Sequence, residues 1–196
     1  MKTIIAITVL FVAFTSTLNA SKYEEAMKTN IEKIFKAQNV EELHSLANKF
    51  ERIAQAETDK WLPGYYAAYC YVEASFKYED DAKSVHRELD RAQVFIDELM
   101  KKKEDESEIY ALQALIYQLR ITDMAKGAKY SQLAHQMLDK AVELDSDNPR
   151  AYYLRGTNTF HTPKFFGGGP EKAKPFFEKA KKLFEANNSQ NPLAPD

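Results

Sequence analysis

The residues whose types and spacing come nearest to a chemical motif are the glycines of stretch 165–173, which reads FFGGGPEKA. Three glycines ahead of a helix N-terminus can present backbone N–H groups to a phosphate. A phosphate-binding P-loop needs Gly-Lys-Ser/Thr at this point, however, and here the charge that follows is the acidic Glu171. We therefore predict a tight turn between two helices.

The other polar residues give little indication of a metal site or of an enzyme active site. None of the histidines stands in an HExxH or His-x3-His arrangement, and the Gly-x-Ser-x-Gly nucleophile motif is absent. Carboxylates such as those at 104–106 fall at predicted helix ends, where capping and solvation explain them. An enzyme would need a cluster made only by folding, such as His161 with Glu73. The sequence therefore predicts no enzyme, no metal and no cofactor.

Cys70 is the only cysteine, so it cannot form a disulfide within the chain. Its neighbours Ala67, Ala68 and Tyr71 are apolar or aromatic. We predict that Cys70 is a small buried hydrophobic residue, and the alternative is a redox or intermolecular role.

The first 20 residues read as an export signal. Lys2 supplies a positive charge, residues 4–14 form an apolar run, and Ala20 is a small residue suited to cleavage. The run is shorter than the roughly 20 residues of a membrane-spanning helix. We predict cleavage after Ala20 and a periplasmic or secreted protein without stable membrane insertion, and the alternative is an uncleaved anchor.

The composition limits which class of protein the chain can be. With 196 residues, 44% of them hydrophobic, the chain can form one folded domain. A net charge of -2 offers no field that would attract nucleic acid. The 11 tyrosines and 12 phenylalanines suit packing between helices, and some of them can serve a binding surface.

Helical periodicity predicts eight helices after the signal. The first opens with a capping box at Ser21 and runs to about residue 37. The second is capped by Asn39, with Glu42 at the reciprocal position. The third spans 63–78 and is apolar on nearly all sides, which predicts burial at the centre of the molecule.

The middle helices are bounded by polar residues and a glycine. Ser84 is predicted to cap the fourth helix, and Ser107 to open a long fifth helix that reaches about residue 124. Gly127 is then predicted to allow the turn into the sixth. Asp147 and Asn148 are predicted to cap the seventh, with Pro149 at its first position, where a missing N–H costs nothing.

Small residues recur at helical spacing in the second helix of each pair, at Ala47, Ala92, Ala134 and Ala173, and seven positions later at Ala54, Leu99, Ala141 and Ala180. The first helices carry an aromatic residue at Tyr65, Tyr110 and Tyr152 and a small one at Ala114 and Gly156. This pattern resembles the tetratricopeptide repeat, although the spacing exceeds its standard 34 residues. The alternative is another α-solenoid with longer helices.

The resemblance implies an all-α fold: a right-handed α-solenoid of about four helical hairpins with a concave inner face. The predicted domains are a signal peptide at 1–20, a repeat domain at 21–187 and a flexible tail at 188–196, which is polar and carries prolines. Residues 187–189 match a glycosylation sequon.

The same resemblance implies binding of a protein or peptide partner in the concave groove, as a scaffold or adaptor. The positions that it turns towards the groove include Cys70, Glu108 and Phe160. The predicted partner-binding residues are Tyr66, Glu73, Gln118, Arg150, Tyr153 and His161.

A second hypothesis is a periplasmic small-ligand accessory protein. The Phe166-Gly167-Gly168 turn resembles turns in exported bacterial tetratricopeptide proteins, among them the periplasmic partner subunits of TRAP-type transporters. A closed apolar cavity lined by tyrosines would favour this hypothesis, whereas an open groove with a polar rim would favour the scaffold.

Overall fold

The computed structural model describes residues 22–79, 81–186 and 191–195. The predicted signal peptide, its cleavage site after Ala20 and the sequon at 187–189 lie outside these residues. Within them every regular element is helical and no strand is present, which confirms the all-α prediction. None of these helices combines the length and the apolar character needed to cross a membrane.

Eight α-helices and two short 3-10 turns make up the described chain. The α-helices are α1 (22–34), α2 (Val40–Ala56), α3 (Leu62–Ser75), α4 (Ala82–Lys102), α5 (Ser107–Leu119), α6 (Met124–Leu144), α7 (Pro149–His161) and α8 (Pro170–Ala186). The 3-10 turns are Phe76–Tyr78, directly after α3, and Lys164–Phe166, between α7 and α8.

Two predicted helix caps are confirmed. The Asn39 side chain accepts a hydrogen bond from the backbone N–H of Glu42 at 2.9 Å, at the start of α2. Asn148 accepts from the N–H of Ala151 at 2.9 Å, and Pro149 follows it as the first residue of α7. Each cap satisfies a backbone donor that has no partner inside its helix.

Other predicted boundaries were wrong. Asp81, not Ser84, caps α4, because its carboxylate accepts from the N–H of Ser84 at 3.1 Å and places that serine inside the first turn. Helix α5 ends at Leu119, and Asp123 caps α6. Gly127 therefore lies inside α6 and makes no turn.

The helices pack in chain order, each against the next, from α2 to α8. In addition, α5 contacts both α3 and α7, so that these three helices form one layer. We call this layer of α3, α5 and α7 the inner layer. A solenoid of four hairpins, its right-handed twist and its tetratricopeptide identity stay predictions.

Two hydrophobic clusters hold the helices together. The larger cluster joins residues of α1 to α5, including Met27, Phe50, Leu89 and Ile116. The smaller joins α5, α6 and α7 and consists mainly of alanines, with Leu138 and Leu154. Small side chains let helix backbones approach closely, and all the predicted small repeat positions except Ala54 are buried.

The glycine stretch between α7 and α8 forms the tight turn that its sequence predicts. Gly167 and Gly169 have backbone φ angles of 85° and 103°, which residues other than glycine rarely adopt. A Cβ at Gly168 would lie 2.2 Å from the carbonyl oxygen of Thr162. The turn thus requires glycine for its backbone conformation and for a close approach.

Candidate functional site

The inner layer brings together the helix faces on which most predicted groove residues lie. Residues three or four apart share one helix face, as do residues seven apart. On α3 this spacing joins Tyr66, Tyr69 and Glu73. On α7 it joins Arg150, Tyr153 and Phe160, whereas Glu108 and Gln118 lie ten residues apart, near the two ends of α5.

A group of aromatic and charged side chains occupies one end of this layer. We call it the tyrosine–arginine cluster, and it comprises Tyr65, Tyr66, Tyr69, Glu108 and Arg150. The rings of Tyr65 and Tyr66 meet edge to face with centroids 5.4 Å apart, and those of Tyr65 and Tyr69 are stacked at 6.5 Å. Edge-to-face and offset-stacked rings are the favourable aromatic geometries, so the cluster is a packed unit.

Arg150 and Glu108 form the charged part of the cluster. The guanidinium Nη1 donates to Glu108 Oε2 at 2.5 Å, and both side chains are largely buried. The amide of Asn148 donates to the other carboxylate oxygen at 3.0 Å. The residue that caps α7 therefore also orients the carboxylate on α5, and this ties two helices of the inner layer together.

Burial governs the ionisation of the cluster. Burial raises the pKa of Glu108, although the neighbouring Arg150 and the hydrogen bonds from Arg150 and Asn148 oppose the shift. Burial and then the nearby Glu73 carboxylate raise the pKa of Tyr69. Tyr69 is therefore a neutral phenol at physiological pH, able to donate a hydrogen bond.

The outer part of the same α7 face presents aromatic surface to solvent. Tyr153 is 51% exposed and Phe160 is 45% exposed. The Tyr153 ring lies 5.8 Å from the ring of Phe177 on α8, and the exposed His161 packs edge-on to Phe160 at 5.2 Å. We call Tyr153, Phe160 and His161 the aromatic edge of α7.

Two positions that the repeat pattern turned towards the groove have other roles. Cys70 is fully buried in the larger hydrophobic cluster, which confirms its prediction as a core residue and corrects its placement in the groove. Burial, followed by the Glu73 charge, raises the pKa of its thiol. Gln118 donates to the carbonyl oxygen of Leu154 at 2.8 Å and so joins α5 to α7.

A segment that the sequence prediction treated as flexible tail also reaches this site. Leu193 is 4% exposed and belongs to the larger hydrophobic cluster. The hydroxyl of Tyr66 donates to the carbonyl oxygen of Leu193 at 2.9 Å. Local sequence gave no signal for this contact, because the two residues lie far apart along the chain.

A second charged group lies outside the inner layer, between α2 and α4. Glu88 is fully buried, and its carboxylate meets His44, Arg87 and Arg91 at 2.7, 3.3 and 3.4 Å. These contacts satisfy the buried charge and link the two helices. Within residues 22–79, 81–186 and 191–195, no three His, Cys, Asp or Glu side chains come together to hold a metal ion.

The helical fold defines a class of all-α proteins to which a solved structure also belongs. No protein-family model and no curated protein matches the chain. A solved structure that does match is the HusA haemophore from Porphyromonas gingivalis, with a TM-score of 0.78 and 30% sequence identity. The match covers 88% of this chain and 85% of that chain. The chain therefore belongs to the same family as this haemophore.

Proposed function

We propose that this protein is an extracellular haem-binding protein that carries haem on its inner layer. The similarity to a haemophore, at 30% identity over most of both chains, is the observation that supports the proposal. It favours a small-ligand role over the scaffold role that the repeat pattern suggested. Haem is cargo here and not the cofactor of a reaction, and we propose no enzymatic activity.

The side chains of the inner layer suit the chemistry of haem. Haem is a flat, largely apolar ring system with two carboxylate groups and an iron atom. The exposed rings of Tyr153 and Phe160 offer aromatic faces for stacking. The exposed imidazole of His161 is a common iron ligand, whereas the buried guanidinium of Arg150 is already paired with Glu108.

We propose that the aromatic edge of α7 makes the main contact with haem, because its rings are exposed on one helix face. Contiguous exposed apolar surface on a soluble protein commonly marks a binding site. The tyrosine–arginine cluster lies further in, where its packed rings form the floor of the site.

The test is a titration of the full chain with haem, in which binding is measured by the rise of the Soret absorption band. We expect saturable binding, and we expect His161→Ala to shift the Soret maximum and weaken binding about tenfold or more, the cost of about 1.4 kcal/mol. Tyr153→Ala should weaken binding without the spectral shift, because it removes stacking and leaves the iron ligand.

The matched control is His135→Ala, which removes a histidine from α6, outside the inner layer. It should leave affinity and spectrum unchanged. A chain that shows no saturable Soret change refutes the haem proposal. Equal effects of the His161 and His135 substitutions would leave haem binding standing and refute the site.

Peptide binding remains the second candidate function, and one specific observation favours it. Segment 191–195 already contacts the inner layer through Leu193 and Tyr66. An extended peptide of similar chemistry, with one leucine to bury, would fit the same place. Capture of such a peptide by the full chain, with haem showing no effect on it, would favour this candidate over the first.

A further inference from the structure

The contact between segment 191–195 and the inner layer joins distant parts of the chain. Helix α8 ends at Ala186 and packs against α7, the last helix of the inner layer. Leu193 nevertheless belongs to the hydrophobic cluster formed by α1 to α5. The segment therefore contacts helices other than α7, the helix against which α8 packs.

Both backbone polar groups of the buried Leu193 are hydrogen-bonded. Its carbonyl oxygen accepts from the hydroxyl of Tyr66 at 2.9 Å, and its N–H donates to the side-chain oxygen of Asn191 at 3.0 Å. A buried backbone group without a partner would be costly, and here both groups have one. The side chain can therefore be buried with little penalty from the backbone.

The burial of the segment is concentrated in this one residue. Asn191 and Pro192 are exposed, and Ala194 and Pro195 are half-buried. A contact built around one buried side chain opens at lower cost than a helix packed along its length. The partner of the contact, Tyr66, is a member of the tyrosine–arginine cluster.

We propose that segment 191–195 is a built-in competitor for the inner layer, an inference that rests on the proposed haem site. In the free protein, Leu193 covers the Tyr66 end of the site. Haem displaces the segment when it binds, so that the measured affinity is the affinity of the open site reduced by the fraction of molecules that are open.

The first experiment follows the segment directly in the unaltered chain. Gallium protoporphyrin IX, a diamagnetic analogue of haem, is added to 15N-labelled protein while the amide resonances of Leu193 and Ala194 are recorded by NMR. We expect both resonances to move to random-coil positions at saturation. Resonances that keep their free-state positions while the porphyrin is bound overturn the proposal.

The second experiment releases the segment by substitution. Leu193→Asp places a charge where the apolar side chain is buried, and we expect haem affinity to rise about threefold to tenfold, for an open fraction of about 0.1 to 0.3 before the change. Pro192→Asp is the matched control, since it adds the same charge at the exposed neighbour, and it should change affinity less than twofold.

Circular dichroism shows whether each variant keeps its helices. An unchanged or weaker haem affinity in a folded Leu193→Asp variant would show that the segment is only a structural strap, and would overturn the proposal. If this variant does not fold, the NMR titration of the unaltered chain decides the question alone.

A third measurement distinguishes failure of the proposed haem site from failure of the proposed competition by segment 191–195. If neither the unaltered chain nor Leu193→Asp binds porphyrin, the proposed function fails. A capped peptide of sequence Asn-Pro-Leu-Ala-Pro is then added to the Leu193→Asp protein. Restoration of the native amide shifts around Tyr66 supports recognition of the segment by the inner layer, and unchanged shifts refute it.

Discussion

At the scale of single residues, the tyrosines of α3 show how burial changes the chemistry of a side chain. Burial raises the pKa of Tyr65 and of Tyr69, and the Glu73 carboxylate adds to the shift at Tyr69. A buried phenolate would have to leave water and face a nearby negative charge. These rings are therefore held as neutral aromatic surface and hydrogen-bond donors.

This burial predicts a loss of stability at alkaline pH. Above a pH of about 10, tyrosines in the unfolded chain lose their protons, while Tyr65 and Tyr69 keep theirs in the folded chain. The unfolded state then binds fewer protons, so the free energy of unfolding falls as pH rises above 10. Urea unfolding between pH 8.5 and 11 measures this fall. Tyr69→Phe should make it shallower, and an equal slope in both proteins would contradict the prediction.

The candidate site residues were only partly predictable from the sequence. Helical spacing placed Arg150 and Tyr153 on one face of α7, and the structure keeps them there. Spacing could not show that Asn148, at the start of α7, contacts Glu108 of α5. Nor could it show that Cys70 is turned into the core. Each of these depends on the rotation of one helix against another, which local sequence does not fix.

At the scale of helices, the buried Glu88 predicts a strong link between α2 and α4. Glu88→Gln removes the charge that His44, Arg87 and Arg91 surround. We expect the free energy of unfolding to fall by about 1 to 2 kcal/mol, because the buried side chain loses charge-assisted hydrogen bonds while its partly exposed partners regain contact with water.

The matched control for this link is Glu98→Gln, at an exposed position on the same helix. It should change stability by less than about 0.5 kcal/mol. Chemical denaturation of both variants supplies the comparison. Equal losses would show that helix charge in general, and not the contacts of Glu88, accounts for the effect.

A pair of helical glycines provides a second prediction at this scale. A Cβ at Gly156 would lie 2.6 Å from the ring of Phe177, where α7 and α8 approach each other closely. Gly156→Ala should therefore lower the free energy of unfolding by about 1 to 2 kcal/mol through overpacking.

Gly127→Ala should have the opposite effect. Its new Cβ would meet only Ile121 at 4.0 Å, an ordinary contact, and alanine favours the helix by about 0.5 to 1 kcal/mol. Thermal unfolding of the two variants measures the difference. Similar stabilities would show that the Phe177 ring moves aside without cost.

At the scale of the whole molecule, burial is distributed unevenly along the chain. Helix α3 is buried over most of its length, whereas the buried residues of α8 are Ala173 and Ala180. We expect native-state hydrogen exchange to show α8 opening first, with amide protection well below that of α3, which should exchange only on global unfolding. Equal protection of the two helices would contradict this expectation.

The sequence by itself determined the helical class, most helix positions, the caps at Asn39 and Asn148, and the glycine turn. These features depend on neighbours within a few residues, through backbone hydrogen bonds and helical periodicity. Only the tertiary structure decided that α3, α5 and α7 form one layer, that Glu108 meets Arg150, and that Leu193 contacts Tyr66. Those contacts join residues far apart in the chain, and their energies come from the burial and charge pairing that folding creates.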